Sequence, residues 1–171
     1  MIIFQKENFF PDINLVLNEI KSMELHNQET FNKRNNDNQT WPGFRSDLLS
    51  YTHHPALLGL LLLSFSNLKL KIKIKELTAY IHLRTQEDNE KDWIHTDSWQ
   101  YSLLVYLNKT NLNSGTKIFD NNSNEINDIK YVQNRAILYN GNYRHMGYGH
   151  FGNSVDDGRL TLNLFFNETT D

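Results

Sequence analysis

Arg159-Leu160-Thr161-Leu162-Asn163-Leu164-Phe165-Phe166, close to the C-terminus, alternates with a period of two. In an extended chain that period puts Arg159, Thr161 and Asn163 on one face and Leu160, Leu162, Leu164 and Phe166 on the other. A surface strand turns its polar side to water. Here the polar side carries a guanidinium with a hydroxyl two residues on, and we read it as lining a pocket while the Leu/Phe face lies under helices. A guanidinium in a pocket needs an anion, and a planar carboxylate can accept two parallel hydrogen bonds from it, with the threonine hydroxyl as a third donor.

Outward from that strand the chain reads as helices first and strands later. Ile2 to Gln5 predicts a short strand, and Pro11-Asp12 opens an amphipathic helix to about Leu25, with proline where its missing N–H costs nothing. Asn27 to Gln39 is polar and unpatterned and reads as a loop. Pro55 to about Phe65 reads as a second, apolar helix. Leu68 to Lys75 alternates leucine or isoleucine with lysine and predicts a strand with one wet face, a solvated surface rather than an anion-binding one; Glu76 to Arg84 continues as a strand. Short strands follow, joined by Asn/Gly-rich turns. The pattern fits an α+β fold: a double-stranded β-helix, jelly-roll-like, with N-terminal helices packed on one sheet. No repeat or linker divides the 171 residues, so the expectation is one domain over 1–171.

Composition narrows the chemistry. A net charge of −3 carries no basic footprint, which speaks against a nucleic-acid partner. With no cysteine, thiolate ligands and disulfides are excluded, so any metal is bound by nitrogen and oxygen. The N-terminus lacks a long apolar segment and Ala56 to Leu63 is too short to span a bilayer, so a cytoplasmic protein without a membrane partner is expected. Oligomeric state is not legible.

The metal candidates are His95-Thr96-Asp97 and a later histidine. An H-x-D tripeptide alone is cheap, since chance supplies roughly half of one in a chain with these counts. Its context carries more. It follows a polar loop, Gln86 to Asp92, and precedes the β-like run Tyr101 to Leu107, and residues i and i+2 of an extended chain share a face. Two imidazoles and one carboxylate on one face of an octahedral ion leave three positions open, the ligand set of non-haem Fe(II) oxygenases. The third ligand is His145 or His150. The oxygenases that this ligand set resembles commonly keep a spacing close to that between His150 and Arg159, nine positions, which favours His150; local chemistry favours His145, which follows the β-like run Ala136 to Tyr143, with Gly147 to Gly158 read as a long turn. We take His145.

The order H-x-D, roughly 50 residues, His, then R-x-T resembles the 2-oxoglutarate and Fe(II)-dependent oxygenases, in their prolyl-hydroxylase-like branch. Phe4 to Leu17 resembles the opening strand and helix of that branch, and Tyr101 to Asn108, Gly115 to Phe119 and Asn134 to Gly141 resemble its core strands. The resemblance implies Fe(II) held by His95, Asp97 and His145, with Arg159 and Thr161 on the distal carboxylate of 2-oxoglutarate. It implies an enzyme that consumes O₂, releases succinate and CO₂, benefits from ascorbate in vitro, and hydroxylates an amino-acid or peptidyl side chain. Related halogenases replace the carboxylate ligand by a small residue; Asp97 is kept, so hydroxylation or desaturation is the expected outcome.

The sequence offers further pocket residues. Trp41-Pro42-Gly43-Phe44-Arg45-Ser46 ends a polar stretch with an aromatic, a turn and an arginine, the makings of a pocket flap, or else of an anchor through Trp41 and Phe44. Tyr80, His82 and Arg84 share one face of strand 76–84, and Trp93 and Trp99 flank the metal pair. His26, His53 and His54 read as surface or capping residues. Three other functions compete: a metal oxygenase that does not use 2-oxoglutarate, a catalytically inactive jelly-roll binding module, and a nucleobase demethylase. Succinate release, anaerobic Fe(II) titration and the salt dependence of DNA binding separate them.

Overall fold

The computed structural model describes residues 2–36, 38–88 and 92–169. Among them ten strands form two antiparallel sheets. β1 (Ile2–Lys6), β8 (Ala136–Asn140), β5 (Tyr101–Tyr106), β10 (Arg159–Glu168), β4 (Ile74–Arg84), β3 (Phe44–Ser46) and β2 (Leu25–Asn27) lie side by side in that order. β7 (Glu125–Tyr131), β6 (Asn111–Phe119) and β9 (Arg144–Tyr148) make the smaller sheet. Both are antiparallel throughout. This is the α+β, double-stranded β-helix arrangement that the strand pattern predicts.

Two cores follow from the period-2 faces. Leu160, Leu162, Leu164 and Phe166 of β10 join Leu103 and Val105 of β5 and Ala79, Ile81 and Leu83 of β4 under helices α1 (Ile13–Lys21) and α3 (Pro55–Ser66). On the opposite face Leu104, Tyr106, Ile137 and Tyr139 meet Ile118, Ile129 and Tyr131 of the smaller sheet. The helices therefore close one side of the large sheet, and the second sheet leaves the polar face of β10 turned inward. Among the described residues no helix is long and apolar enough to cross a membrane.

Four segments depart from the sequence reading. The stretch read as a loop, Asn27 to Gln39, contains helix α2 (Gln28–Asn35). Its one buried side chain is Phe31, too little for a periodic signal; the helix is held by the Asn27 side chain accepting from the Thr30 N–H, by Asn36 ending it in the left-handed conformation, and by Phe31 packed edge-on against Trp41. α1 ends at Lys21, capped by Ser22, and Leu25 begins β2 instead of ending the helix. Leu68 to Lys73 is not a strand, although its two faces are those the alternation predicts: Leu68, Leu70 and Ile72 pack against the core while Lys69, Lys71 and Lys73 are exposed. Alternation specifies faces, and a ladder also needs a neighbour, which this run meets at its end, where the Thr169 N–H donates to the Lys73 carbonyl and Ile74 pairs with Glu168 of β10. The expected turn from Gly147 to Gly158 starts two residues later, because Gly147 and Tyr148 belong to β9. His26, read as a surface residue, is buried in β2; His53 is exposed and His54 precedes α3 without a side-chain cap bond.

Asn134 pins the N-terminus to this frame. At φ 61° it turns the chain into β8, its side-chain oxygen accepts from the Phe10 N–H at 2.9 Å, and its amide donates to the Phe10 carbonyl at 2.8 Å. Asn134→Ala orphans both buried groups and places alanine in the left-handed region. We expect a loss of about 2–4 kcal/mol, a fall in Tm of roughly 10 °C, readable by thermal denaturation.

Candidate metal centre

A cavity of about 690 Å³ lies between the sheets, and its wall brings together residues from distant parts of the chain. His95 and Asp97 lie between β4 and β5, and His145 lies on β9. His95 and His145 form an isolated antiparallel bridge, exchanging N–H···O bonds of 3.0 and 2.8 Å, while the Asp97 N–H donates to the Gly141 carbonyl at 2.9 Å. One ligand-type atom from each of His95, Asp97 and His145 lies within 4.8 Å of the others. Nε2 of His145 is 3.4 Å from one Asp97 oxygen and Nε2 of His95 is 3.9 Å from the other.

Both imidazoles are set in the same tautomer. Nδ1 of His95 donates to the Trp93 carbonyl at 3.0 Å and Nδ1 of His145 to the Tyr143 carbonyl at 2.9 Å, which leaves each Nε2 lone pair turned toward the aspartate. Backbone partners of this kind orient imidazole ligands and raise their basicity. Burial pushes His145 below the usual imidazole range despite the Asp97 carboxylate, which favours the neutral, ligating form. His95 is half exposed, so the three groups sit at the mouth of the cavity rather than in a sealed core.

Asp97 has a partner that the sequence reading missed. Ser102, buried on β5, donates from Oγ to Asp97 Oδ2 at 2.5 Å. Nearby, burial and the Asp97 charge hold the Tyr139 phenol well above its usual range, so it stays protonated. Removing an outer partner of a ligating carboxylate typically costs 10- to 100-fold in metal affinity. Ser102→Ala should weaken Mn(II) binding by about that factor with little change in thermal stability, as read by titration calorimetry.

Arg159 is buried at the other end of the cavity. Its Nη2 donates to the Gly115 carbonyl at 2.9 Å, its Nε is buried without a hydrogen-bond partner, and among the described residues no carboxylate pairs with it. Gly147 makes room for it: a Cβ there would lie 3.0 Å from Nη2. Thr161, on the same face of β10, is buried and within 3.4 Å of both the His82 carbonyl and the Asn163 amide. Arg84, directly opposite Arg159 in the β4–β10 register, is by contrast neutralised: it pairs with Asp88 and, at 2.6 Å, with Asp92.

The remaining predicted pocket residues also reach the cavity wall. Trp41 is buried, and the Arg45 guanidinium stacks 4.1 Å from its ring centroid and 4.5 Å from that of Tyr80. His82 is bonded through Nε2 to the Pro42 carbonyl at 2.6 Å; burial, reinforced by Arg45, holds it well below the usual imidazole range. Trp99 lines the cavity near Asp97. The segment read as a flap is in part strand β3, and Phe44, weighed as an anchor, is exposed on it. Within the polar loop Gln86 to Asp92, residues 89–91 lie outside the described residues. His150 is not among the clustered ligands; its Nε2 is 2.6 Å from Asp92 and its Nδ1 3.2 Å from Arg84.

No protein-family model matches the chain, and no curated protein matches it. Solved structures do. A prolyl-4-hydroxylase from Pseudomonas putida aligns with a TM-score of 0.64 at 15% identity, over 98% of this chain and 92% of that one. A prolyl hydroxylase from Trichoplax adhaerens, in complex with a peptide fragment of the hypoxia-inducible factor oxygen degradation domain, aligns with a TM-score of 0.62 at 12% identity, over 95% and 82%. A non-haem alpha-ketoglutarate-dependent carbocyclase of nogalamycin biosynthesis aligns with a TM-score of 0.57 at 8% identity, over 88% and 70%. The chain thus has the double-stranded β-helix fold of these enzymes, with a His-Asp-His cluster in its cavity.

Proposed function

We propose that residues 1–171 form a single Fe(II)- and 2-oxoglutarate-dependent oxygenase domain that hydroxylates an amino-acid or peptidyl side chain, releasing succinate and CO₂. The observation that carries this reading is Arg159, a buried cation whose Nε has no hydrogen-bond partner and which pairs with no carboxylate among the described residues. An uncompensated buried charge is costly, and a ligand carboxylate relieves it. Its position matches a short dicarboxylate. Arg159 packs on Gly147, two residues beyond His145 on β9, so the backbone positions that carry the anion site and the metal site are one strand repeat apart, about 6.6 Å between Cα atoms.

The donor set fits ferrous iron: two imidazole nitrogens with free Nε2 atoms and one carboxylate, with no thiolate in the chain. Bound iron would supply the oxidative chemistry with O₂ and 2-oxoglutarate, and the chain's own residues do the rest. His95, Asp97 and His145 would hold the metal at the mouth of the cavity. Arg159 and Thr161 hold the distal carboxylate. Ser102 holds Asp97 in place, and Trp41, Arg45, Tyr80, His82 and Trp99 wall the space that remains for the substrate. A peptidyl or amino-acid substrate agrees with the peptide bound by the Trichoplax enzyme. Retention of a carboxylate at Asp97 favours hydroxylation over halogenation.

The test is incubation of the purified protein with Fe(II), ascorbate and 2-oxoglutarate. Slow uncoupled release of succinate is expected, together with anaerobic binding of Mn(II) and 2-oxoglutarate. Absence of both binding and release in a metal-loaded sample would sink the reading.

A further inference from the structure

We propose that His150 is a positioning residue that fixes the distance between the metal ligands and the anion site. The inference rests on the function proposed above and adds a part that the ligand set does not include. His150 lies on the connection from β9 to β10, between His145 and Arg159. Its ring bridges two other segments: Nε2 to Asp92 at 2.6 Å, just ahead of His95, and Nδ1 to Arg84 Nη2 at 3.2 Å, on the strand that pairs with β10 opposite Arg159. A single imidazole thus joins the segments carrying His95, His145 and Arg159.

The chemistry of the partners fixes the form of the ring. A guanidinium only donates, so Nδ1 must accept from Arg84 and Nε2 must carry the proton it gives to Asp92. His150 is therefore neutral, with one lone pair and one N–H both in use. The groups that face it agree: burial and the charges of Arg84 and Arg159 disfavour its protonation, and Asp92 and Asp88 only partly oppose them. Arg84 is in turn held by Asp88 and by Asp92 at 2.6 Å, so the bridge ends on a buried, neutralised cation and not on a mobile surface charge.

A brace between two half-sites has a signature that ordinary structural support lacks. It matters for a ligand that must reach both ends and not for one that uses a single end. 2-Oxoglutarate spans metal and Arg159, whereas pyruvate offers the same keto acid to the metal without a distal carboxylate. In the Mn(II)-loaded protein under anaerobic conditions, His150→Leu should weaken 2-oxoglutarate binding by roughly 10-fold or more, the scale of misplacement effects in a two-point site. Mn(II) and pyruvate affinities should stay within about twofold, which also reports an intact fold. His150→Gln, whose amide N–H can still donate to Asp92, should recover most of the loss. An equal loss for 2-oxoglutarate, pyruvate and Mn(II), or no loss for any, would overturn the proposal. Failure of the underlying functional reading would show earlier and separately, as a wild-type protein that binds neither Mn(II) nor 2-oxoglutarate.

Discussion

Arg159→Leu should lower the affinity of the metal-loaded protein for 2-oxoglutarate by roughly 10- to 150-fold. The factor is the loss of a charge-assisted hydrogen-bonded pair, about 1.5–3 kcal/mol. It is expected at this position because the guanidinium is buried, its Nε has no partner, and Arg84, the next cation in the register, is already engaged by Asp88 and Asp92. Leucine fills much of the space beside Gly147; the Gly115 carbonyl loses its guanidinium donor and Thr116 Oγ1 a long one, keeping that of Tyr106, so the metal cluster on β9 should be undisturbed. Arg159→Lys should recover part of the affinity, since an ammonium replaces the charge but not the two-pronged geometry. Titration of the Mn(II)-loaded variants with 2-oxoglutarate and with pyruvate measures it: 2-oxoglutarate should weaken and pyruvate should not. Unchanged 2-oxoglutarate affinity would move the carboxylate to Arg45, on the cavity wall with its guanidinium stacked on Trp41.

The same strand explains what was legible in the sequence. β10 is covered on both faces by different chemistry, helices and leucines on one and a polar cavity on the other, so its alternation carries both the fold and half of the site. His95 and Asp97 were legible for a similar local reason, as i and i+2 residues before a strand. The run from Leu68 to Lys73 shows the limit of that logic, because the pattern reports which side chains are wet and says nothing about whether a neighbouring strand exists to pair with. Helix α2 was hidden because caps and a single aromatic hold it, leaving no apolar stripe.

The parts of the site that stayed illegible depend on contacts distant in sequence. The β-like run before His145 singles it out from His150, but nothing local says what brings it to His95. That is decided by β9 lying against β6, with Ile118 opposite His145, and by the backbone bridge from His145 to His95. The Asp92–His150 contact joins residues far apart in the chain, and so does the Arg84–His150 contact. Ser102 was visible only as a small residue in an apolar run; its role becomes clear once β5 and the 95–97 segment are side by side. Its polarity in that run was the one signal available.

Asp97→Ala should cost more than any other substitution at the metal cluster. It removes the one carboxylate among the three clustered residues, and with it the charge that balances part of a divalent ion. Losing an outer-shell partner already costs roughly 10- to 100-fold in metal affinity, so loss of the ligand itself should exceed about 100-fold and take succinate release with it. The fold should tolerate the change. His95 and His145 keep their backbone bridge, both Nδ1 atoms keep their carbonyl partners, and the Ser102 hydroxyl is left beside a small cavity that water can enter from the exposed His95 side. Mn(II) titration followed by paramagnetic resonance, with thermal denaturation of the metal-free protein as the control, separates the two effects. Near-native Mn(II) affinity in a folded Asp97→Ala protein would remove the cluster from consideration as the metal site, and the buried Arg159 would then have to be explained as a binding site for an anion alone.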